Sequence, residues 1–403
     1  MFGAAAGLGT HEKPTATTCK HGVVVMSALP IPLRHLAQLL QQDGGRVTGR
    51  AVLFASAVGL DVVEGRMGDL AAASGVGAQR LQEIVDIGRQ ALSTTSPLVH
   101  EQHLVSKVLL RQFCMPTPHG DRLLSHSLQY GQALLRAPRG VGKQKDFVKI
   151  DSRETERVWS LTEQELPEAL AAARTRRIFK SPKCVALIKD AIALHFARSL
   201  DVRQVGESLQ ERQLAAHREA LLADKQAVET LFYLKYRLHP PAGERAREII
   251  ANDYLSTTTR LLSSGTYFRL RVVDMFHAAR EMTESLGLQI MSPQRGEFLI
   301  GDVPAIPIDV TRGALGLLGG VAFGNATMVV LPLGPRRLAA VSRGGNSFDR
   351  VSGAFVKQLN GFQISNAKEH VFMRPGSGLE SFVVSERPPT GPVASVEDGL
   401  SVT

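Results

Sequence analysis

Aromatic residues are scarce in this chain. One Trp, 5 Tyr and 16 Phe make up 5% of its 403 residues, so a surface that stacks successive nucleic-acid bases on aromatic rings is not expected. Cysteine is scarcer still. Cys19, Cys114 and Cys184 are scattered and odd in number, which argues against a disulfide framework and for a reducing, cytoplasmic setting. Long apolar runs are absent as well. Val23 to Leu33 is apolar, but Pro30 and Pro32 interrupt it and no secretory cleavage pattern follows. Nothing approaches the roughly 20 apolar residues of a membrane span, so no membrane partner is expected. Acidic residues fall short of basic ones, 38 against 47, leaving a net charge of +9. The charged and apolar fractions are otherwise those of a globular protein. The chain is long enough for two or three domains, and its Ala, Gly and Arg content suits a high-GC bacterial genome.

Punctuation and periodicity divide the chain. Residues 1–29 show no periodicity and are expected to be disordered, and Met26 is an alternative start to Met1. Residues 30–95 read as a small all-α domain. Its first helix carries Leu33, Leu36 and Leu40 on one face. Ser93 to Pro97 is a Ser/Thr/Pro linker. Residues 96–387 read as a larger domain, mostly helical from Val99 to about Met291, with a break at Ser263-Ser264-Gly265. Val205 to Leu238 reads as one long charged helix. Gly287–Met291, Glu297–Ile300, Thr327–Leu333 and Arg337–Val341 read as strands, followed by a helix over Ala354–Asn366 and late strands at His370–Met373 and Ser381–Val384. Residues 388–403, rich in Pro, Ser and Gly, read as a disordered tail. Helices followed by strands imply an α+β fold with a mainly antiparallel sheet.

Within the small domain, Gly59-Leu60-Asp61 closes one helix, Met67-Gly68-Asp69-Leu70-Ala71 opens the next, Gly75-Val76-Gly77 makes a turn, and Ala78 to Leu92 forms a third helix. Leu70, Val76, Leu81, Ile84 and Val85 fall at helical spacing and supply a core. This pattern resembles the helix-turn-helix of the fourth region of sigma-70 transcription factors, with its "GLD", "TLEEIA" and "GVS" elements. The resemblance implies nucleic-acid binding, with Gln79 and Arg80 at the start of the third helix as contacts. The charge pattern restrains that implication. Arg46 to Leu92 holds five Arg (46, 50, 66, 80, 89) and five acids (Asp61, Glu64, Asp69, Glu83, Asp86), which leaves few free cations for phosphates. Docking on a protein partner is the alternative.

In the larger domain, Gln102 to Phe113, QHLVSKVLLRQF, is similar to the "QHYVPRFYLRNF" opening of the bacterial domain-of-unknown-function family numbered 4238. Glu156 and Glu163 match its spaced acidic pair. Ile192 to Ser199, IALHFARS, matches a helix carrying an Arg, here Arg198. Leu299-Ile300-Gly301-Asp302-Val303-Pro304 matches "TSDNPV", Leu331-Pro332-Leu333 matches "PLS", and Asn360 with Ala367 matches a late Asn/Ala pair. Ser106 stands where the family has Pro, and Gly301 where it has Ser. The resemblance spans about 99–384 and implies no established activity. Its matched positions point to His103, Glu156, Glu163 and Asp302 as a catalytic or metal-ligating set, with Arg198 on a phosphate. A His with carboxylates holds Mg²⁺ or Mn²⁺ when the groups converge, and a metal-activated water then suits phosphodiester hydrolysis. The bland alternative is that Glu156 pairs with an Arg and Asp302 makes a turn before Pro304.

Arg174, Arg176, Arg177 and Lys180, with Lys183, form a basic cluster free of acids, suited to nucleic-acid phosphates or simply to a solvated turn. His100 and His103 form an HxxH pair that needs further ligands to hold a metal. Ala137 to Lys143 lacks the leading Gly and following Ser/Thr of a phosphate-binding P-loop. Two functions remain open: a DNA-associated, metal-dependent nuclease or effector in a defence setting, and a non-catalytic regulator or adaptor that binds DNA or protein. Whether the chain is an enzyme is left undecided by its sequence.

Overall fold

The computed structural model describes residues 29, 31–93, 100–149, 152–239 and 243–387. Apart from Leu29, the two end segments expected to be disordered lie outside the described residues, as does most of the Ser93–Pro97 linker. The chain divides into two compact units. The smaller holds the described residues up to Val47, Ala51–Arg89 and Leu221–Tyr254; the larger holds Thr48–Arg50, Gln90–Ala220 and the described residues from Leu255 onward.

The smaller unit begins with α1 (Ile31–Gln42), α2 (Gly49–Val58), α3 (Leu60–Glu64), α4 (Met67–Ser74) and α5 (Ala78–Leu92). Leu33, Leu36, Leu40, Leu70, Val76, Leu81, Ile84 and Val85 are all buried, because their spacing places them on inward faces. Between α4 and α5 the chain turns at Gly75, whose φ of 72° is left-handed and whose N–H bonds the Ala71 carbonyl; only Gly takes that cap without strain. Gln41 Nε2 donates to the Ala73 carbonyl at 2.8 Å, tying α1 to α4.

In chain order, the larger unit contains β1 (Glu101–His103), α6 (Lys107–Leu110), β2 (Leu123–Ser127), β3 (Ala133–Arg136), β4 (Lys143–Lys145), α7 (Ser152–Ala173), α8 (Pro182–Ala197) and α9 (Leu200–Ala223). Next come α10 (Lys225–Tyr236) and α11 (Glu244–Ser264), then α12 (Thr266–Glu284); α10 and α11 as far as Tyr254 belong to the smaller unit, as do the last residues of α9 from Leu221. The remainder is β5 (Gly287–Pro293), β6 (Ile300–Gly301), β7 (Ile306–Asp309), β8 (Ala314–Leu315), β9 (Met328–Gly334), β10 (Arg337–Ser342), β11 (Ser347–Val351), α13 (Gly353–Asn366), β12 (His370–Met373) and α14 (Glu380–Glu386). The strands form a six-stranded sheet of order β11-β5-β10-β9-β7-β8, a four-stranded sheet of order β3-β2-β12-β6, and the pair β1-β4. β11 runs parallel to β5; the other described pairings are antiparallel. The fold is α+β. No helix among the described residues is long and apolar enough to cross a membrane.

Helix α8 is the axis of the larger core. Ser181 caps it by accepting from the Cys184 N–H, Pro182 occupies its first turn, and from Leu187 onward most of its residues are buried. Such an all-round apolar helix has to sit inside. Helices α7 and α12 pack along it, and β9 lies against it.

Several expected elements differ. The stretch read as helical contains four strands between residues 101 and 145. Glu101-Gln102-His103 and Lys143-Gln144-Lys145 have no apolar alternation to betray them. Ser381–Val384 lies in α14, where Val383 is buried, although its β-branched pair reads as a strand. The charged helix over 205–238 is broken at Asp224 into α9 and α10. The break at Gly265 occurs where expected, at a left-handed φ of 84°.

Candidate functional site

The pairing of β1 with β4 sets His103 opposite Lys143. Three residues further on, Ser106 caps α6 by accepting from the Val108 N–H at 3.3 Å. The Ser106 N–H itself donates to His195 Nε2 at 3.1 Å. His195 Nδ1 lies 2.7 Å from the Ala191 carbonyl, which can only accept, so the ring proton is assigned to Nδ1 and Nε2 is the acceptor. Burial, and then the Arg198 charge, hold the His195 pKa at about 3. The ring is therefore neutral near pH 7.

Arg198 ends α8 with its side chain only 1% exposed. Its Nη2 donates to Glu163 Oε1 at 2.5 Å and to His195 Nε2 at 3.0 Å. Its Cζ lies 5.6 Å from the centre of the Trp159 ring. Burial raises the Glu163 carboxyl, but the charge and hydrogen bond of Arg198, with smaller help from the Ser106 hydroxyl, outweigh it and hold the group below its ordinary value. Glu156 stands two turns before Glu163 on the same face of α7, about 10 Å away along the axis. Burial raises its pKa; Glu163 adds to that shift, while Arg198 and Lys107 oppose it. Burial pushes His103 down to about 4, followed by the charges of Lys107, Lys143 and Arg198, with Glu163 opposing.

Four shielded polar atoms at this centre have no hydrogen-bond partner among the described residues: His103 Nε2, Glu156 Oε1, Trp159 Nε1 and Arg198 Nε. A buried polar atom left unpaired costs about 1–3 kcal/mol, so four on or near Arg198 call for an explanation. His103 and Glu156 are half-buried as whole residues, while these particular atoms are shielded.

Asp302 does not join them. Its Oδ1 accepts from the Lys368 N–H at 2.8 Å, and its Oδ2 accepts from those of Glu369 and His370 at 2.7 and 2.9 Å. It clamps the turn into β12. Burial raises its pKa against those three bonds. The neighbouring Asp201 pairs with Lys368 Nζ at 2.6 Å. Among the described residues no three His, Cys, Asp or Glu side chains meet so as to hold a metal ion. The expected His103–Glu156–Glu163–Asp302 ligand set for Mg²⁺ or Mn²⁺ is thus not assembled: Asp302 is engaged by backbone and Glu163 by Arg198. His100 of the HxxH pair turns to Asp146, 3.1 Å away.

The expected phosphate contacts separate as well. Arg198 is an internal group, whereas Arg174, Arg176, Arg177 and Lys180 are exposed. In the smaller unit Gln79 and Arg80 are exposed at the start of α5, and Arg80 pairs with Glu83 at 2.8 Å. Arg89 pairs with Asp61 and Glu64, and Arg66 with Asp69.

Lys107, Lys143, Trp159 and His195 were not expected at the centre. Lys107 and His195 lie inside the two matched segments, and Trp159 is the one Trp of the chain, so a signal existed for them. Lys143 reaches the centre only through strand pairing. The two departures from the family pattern also acquire reasons. A Cβ on Gly301 would lie 3.0 Å from the Gln363 carbonyl and 3.1 Å from Ala367 Cβ, because α13 crosses β6 closely. Ser106 supplies an N–H and a hydroxyl that Pro lacks. Its φ of −54° and ψ of 131° are open to Pro. Ser106→Pro is therefore expected to cost about 1–2 kcal/mol through lost hydrogen bonds, read as a lower urea midpoint; an unchanged midpoint would mean that His195 and Glu163 do not depend on them.

No curated protein and no solved structure matches the chain. A family model described as "Protein of unknown function (DUF4238)" matches residues 101–377, well over half of the chain and the whole of the candidate centre. The chain belongs to that family of proteins of unknown function.

Proposed function

We propose that the larger unit is a hydrolase of nucleic-acid phosphodiesters working by acid–base chemistry at the His103–Glu156 centre. The single observation behind this reading is the set of four partnerless polar atoms beside Lys107, Lys143 and Arg198. Lys143 is paired with Glu101 and Arg198 with Glu163, which leaves Lys107 beside the neutral imidazole as the cation to which an anionic group would bind. An arriving phosphate offsets the charges that depress His103 and raises its basicity. His103 Nε2 then takes a proton from an attacking water, whose oxygen bonds to phosphorus. Glu156, kept protonated more readily than an exposed carboxyl, gives a proton to the departing sugar oxygen. Arg198, Glu163 and His195 hold the walls in position. No step is routed through a metal ion.

The test uses the full chain on end-labelled DNA and RNA, with and without Mg²⁺, beside His103→Gln and Glu156→Gln. Each variant is expected to lose about 100-fold or more in rate. No cleavage by the wild type, or equal cleavage by all three, overturns the proposal.

For the smaller unit the proposed reading is a sigma-like helix-turn-helix in α4 and α5 that docks on a protein. The pairing of Arg66, Arg80 and Arg89 with carboxylates favours this over autonomous DNA binding, and it keeps a non-catalytic adaptor as the second reading of the whole chain.

A further inference from the structure

We infer that the Arg176–Lys180 turn, the β9–β10 hairpin and edge strand β11 form a docking face for the sugar-phosphate backbone of nucleic acid. This deepens the proposed function by naming where the polymer lies, and it stands or falls on binding rather than on cleavage.

The face is built from cations that sequence distance separates. Arg174 follows α7, Arg176, Arg177 and Lys180 occupy the next turn, and Arg336 and Arg337 sit in the hairpin. The two regions are fastened together: Arg337 Nε donates to the Ala173 carbonyl at 3.3 Å and its Nη2 to the Arg174 carbonyl at 2.6 Å. Arg176 and Arg337 place their guanidinium carbons 5.9 and 5.3 Å from the centre of the Phe348 ring on β11. Burial, and then the charges of Arg336 and Arg174, hold Arg337 below its ordinary pKa. None of these six cations has a carboxylate partner among the described residues; the ion pair beside them is Lys183 with Glu165.

Crowding like charges without counter-charges opposes folding, so the arrangement fits a face whose counter-charge arrives with a partner. Guanidinium forks suit phosphate oxygens. Phe348 is half-buried and carries guanidinium groups on its ring, so recognition falls on phosphates rather than on stacked bases and is indifferent to sequence.

The face also leads to the candidate centre. Arg174 Nη2 donates to Gln112 Oε1 at 2.8 Å, and Gly334 of the hairpin approaches Gln112 so closely that a Cβ there would lie 3.1 Å from it. Gln112 belongs to the short turn that continues α6, whose first residue is Lys107. A strand held by the arginines is thus directed along α6 toward His103.

The test measures anisotropy of a labelled random-sequence duplex with the full chain over a salt series, comparing the wild type with Arg177→Glu/Lys180→Glu. The charge-reversed pair is expected to bind about tenfold or more weakly and to lose about two from the magnitude of the log–log salt slope, with an unchanged melting temperature. Equal affinity and slope in the charge-reversed variant overturns the inference, as does tighter binding of poly-glutamate than of duplex, which would assign the face to an acidic protein. If the charge-reversed variant melts lower, Arg177→Gln/Lys180→Gln replaces it under the same criteria. A wild type that binds through this face but does not cleave sinks the hydrolase and leaves the docking face intact.

Discussion

Arg198→Ala lowers the stability of the family domain by about 3–5 kcal/mol. The guanidinium is withdrawn from water, donates to Glu163 and His195, and rests on Trp159. Its removal strips Glu163 of the charge that holds its carboxyl below the ordinary range and leaves a void beside the ring. Breaking one side of a buried pair costs more than replacing both, because the survivor's charge has no counterpart. Glu163→Met/Arg198→Met is accordingly expected to regain part of the loss. Urea unfolding followed by tryptophan fluorescence is the measurement, and Trp159, the one Trp of the chain, reports on this unit from beneath the altered residue. A loss below about 1 kcal/mol, or a double variant no better than the single one, would contradict the pairing described above.

The second large effect is acid sensitivity carried by His195. Its folded pKa is about 3, against an ordinary value of 6.5. Between those values the unfolded chain binds a proton at this ring and the folded chain does not, so stability rises with pH there and is lost as pH falls. The full contribution is present above pH 6.5 and drains by about 1.4 kcal/mol per pH unit, to about 4–5 kcal/mol near pH 3. His103, depressed to about 4, drains stability in the same direction. Glu156, Asp190, Asp201 and Asp302 are raised by burial and act the other way as pH falls. His195→Gln isolates the histidine, since an amide oxygen can still accept from Ser106 and Arg198. The variant's urea midpoint is expected to fall less steeply than the wild type's between pH 6.5 and 5. Parallel curves would refute the assignment.

Much of the helical core was legible because it depends on local spacing. Leu70, Val76, Leu81, Ile84 and Val85 are buried as their periodicity requires, and Gly75 and Gly265 take the left-handed turns that end helices. The strands near the candidate site were not legible. Glu101-Gln102-His103 carries no alternation, and its pairing with Lys143-Gln144-Lys145 joins segments some forty residues apart. β7 was not among the expected strands, and its Pro307 is a residue unusual within a sheet.

The same division runs through the site. Sequence by itself determined the family and the α+β class, and it singled out His103, Glu156, Glu163 and Arg198 as candidates, because motif order and helical period are properties of the linear chain. Only the tertiary structure decided what those residues touch. It placed Arg198 inside against Glu163 instead of on a phosphate, and turned Asp302 toward three backbone N–H groups instead of a metal. It brought Lys107, Lys143 and His195 to the centre, and joined Arg174 to Arg337 across the fold. Burial, the direction of a side chain and the identity of its partner arise when distant segments pack together, and no local pattern encodes them.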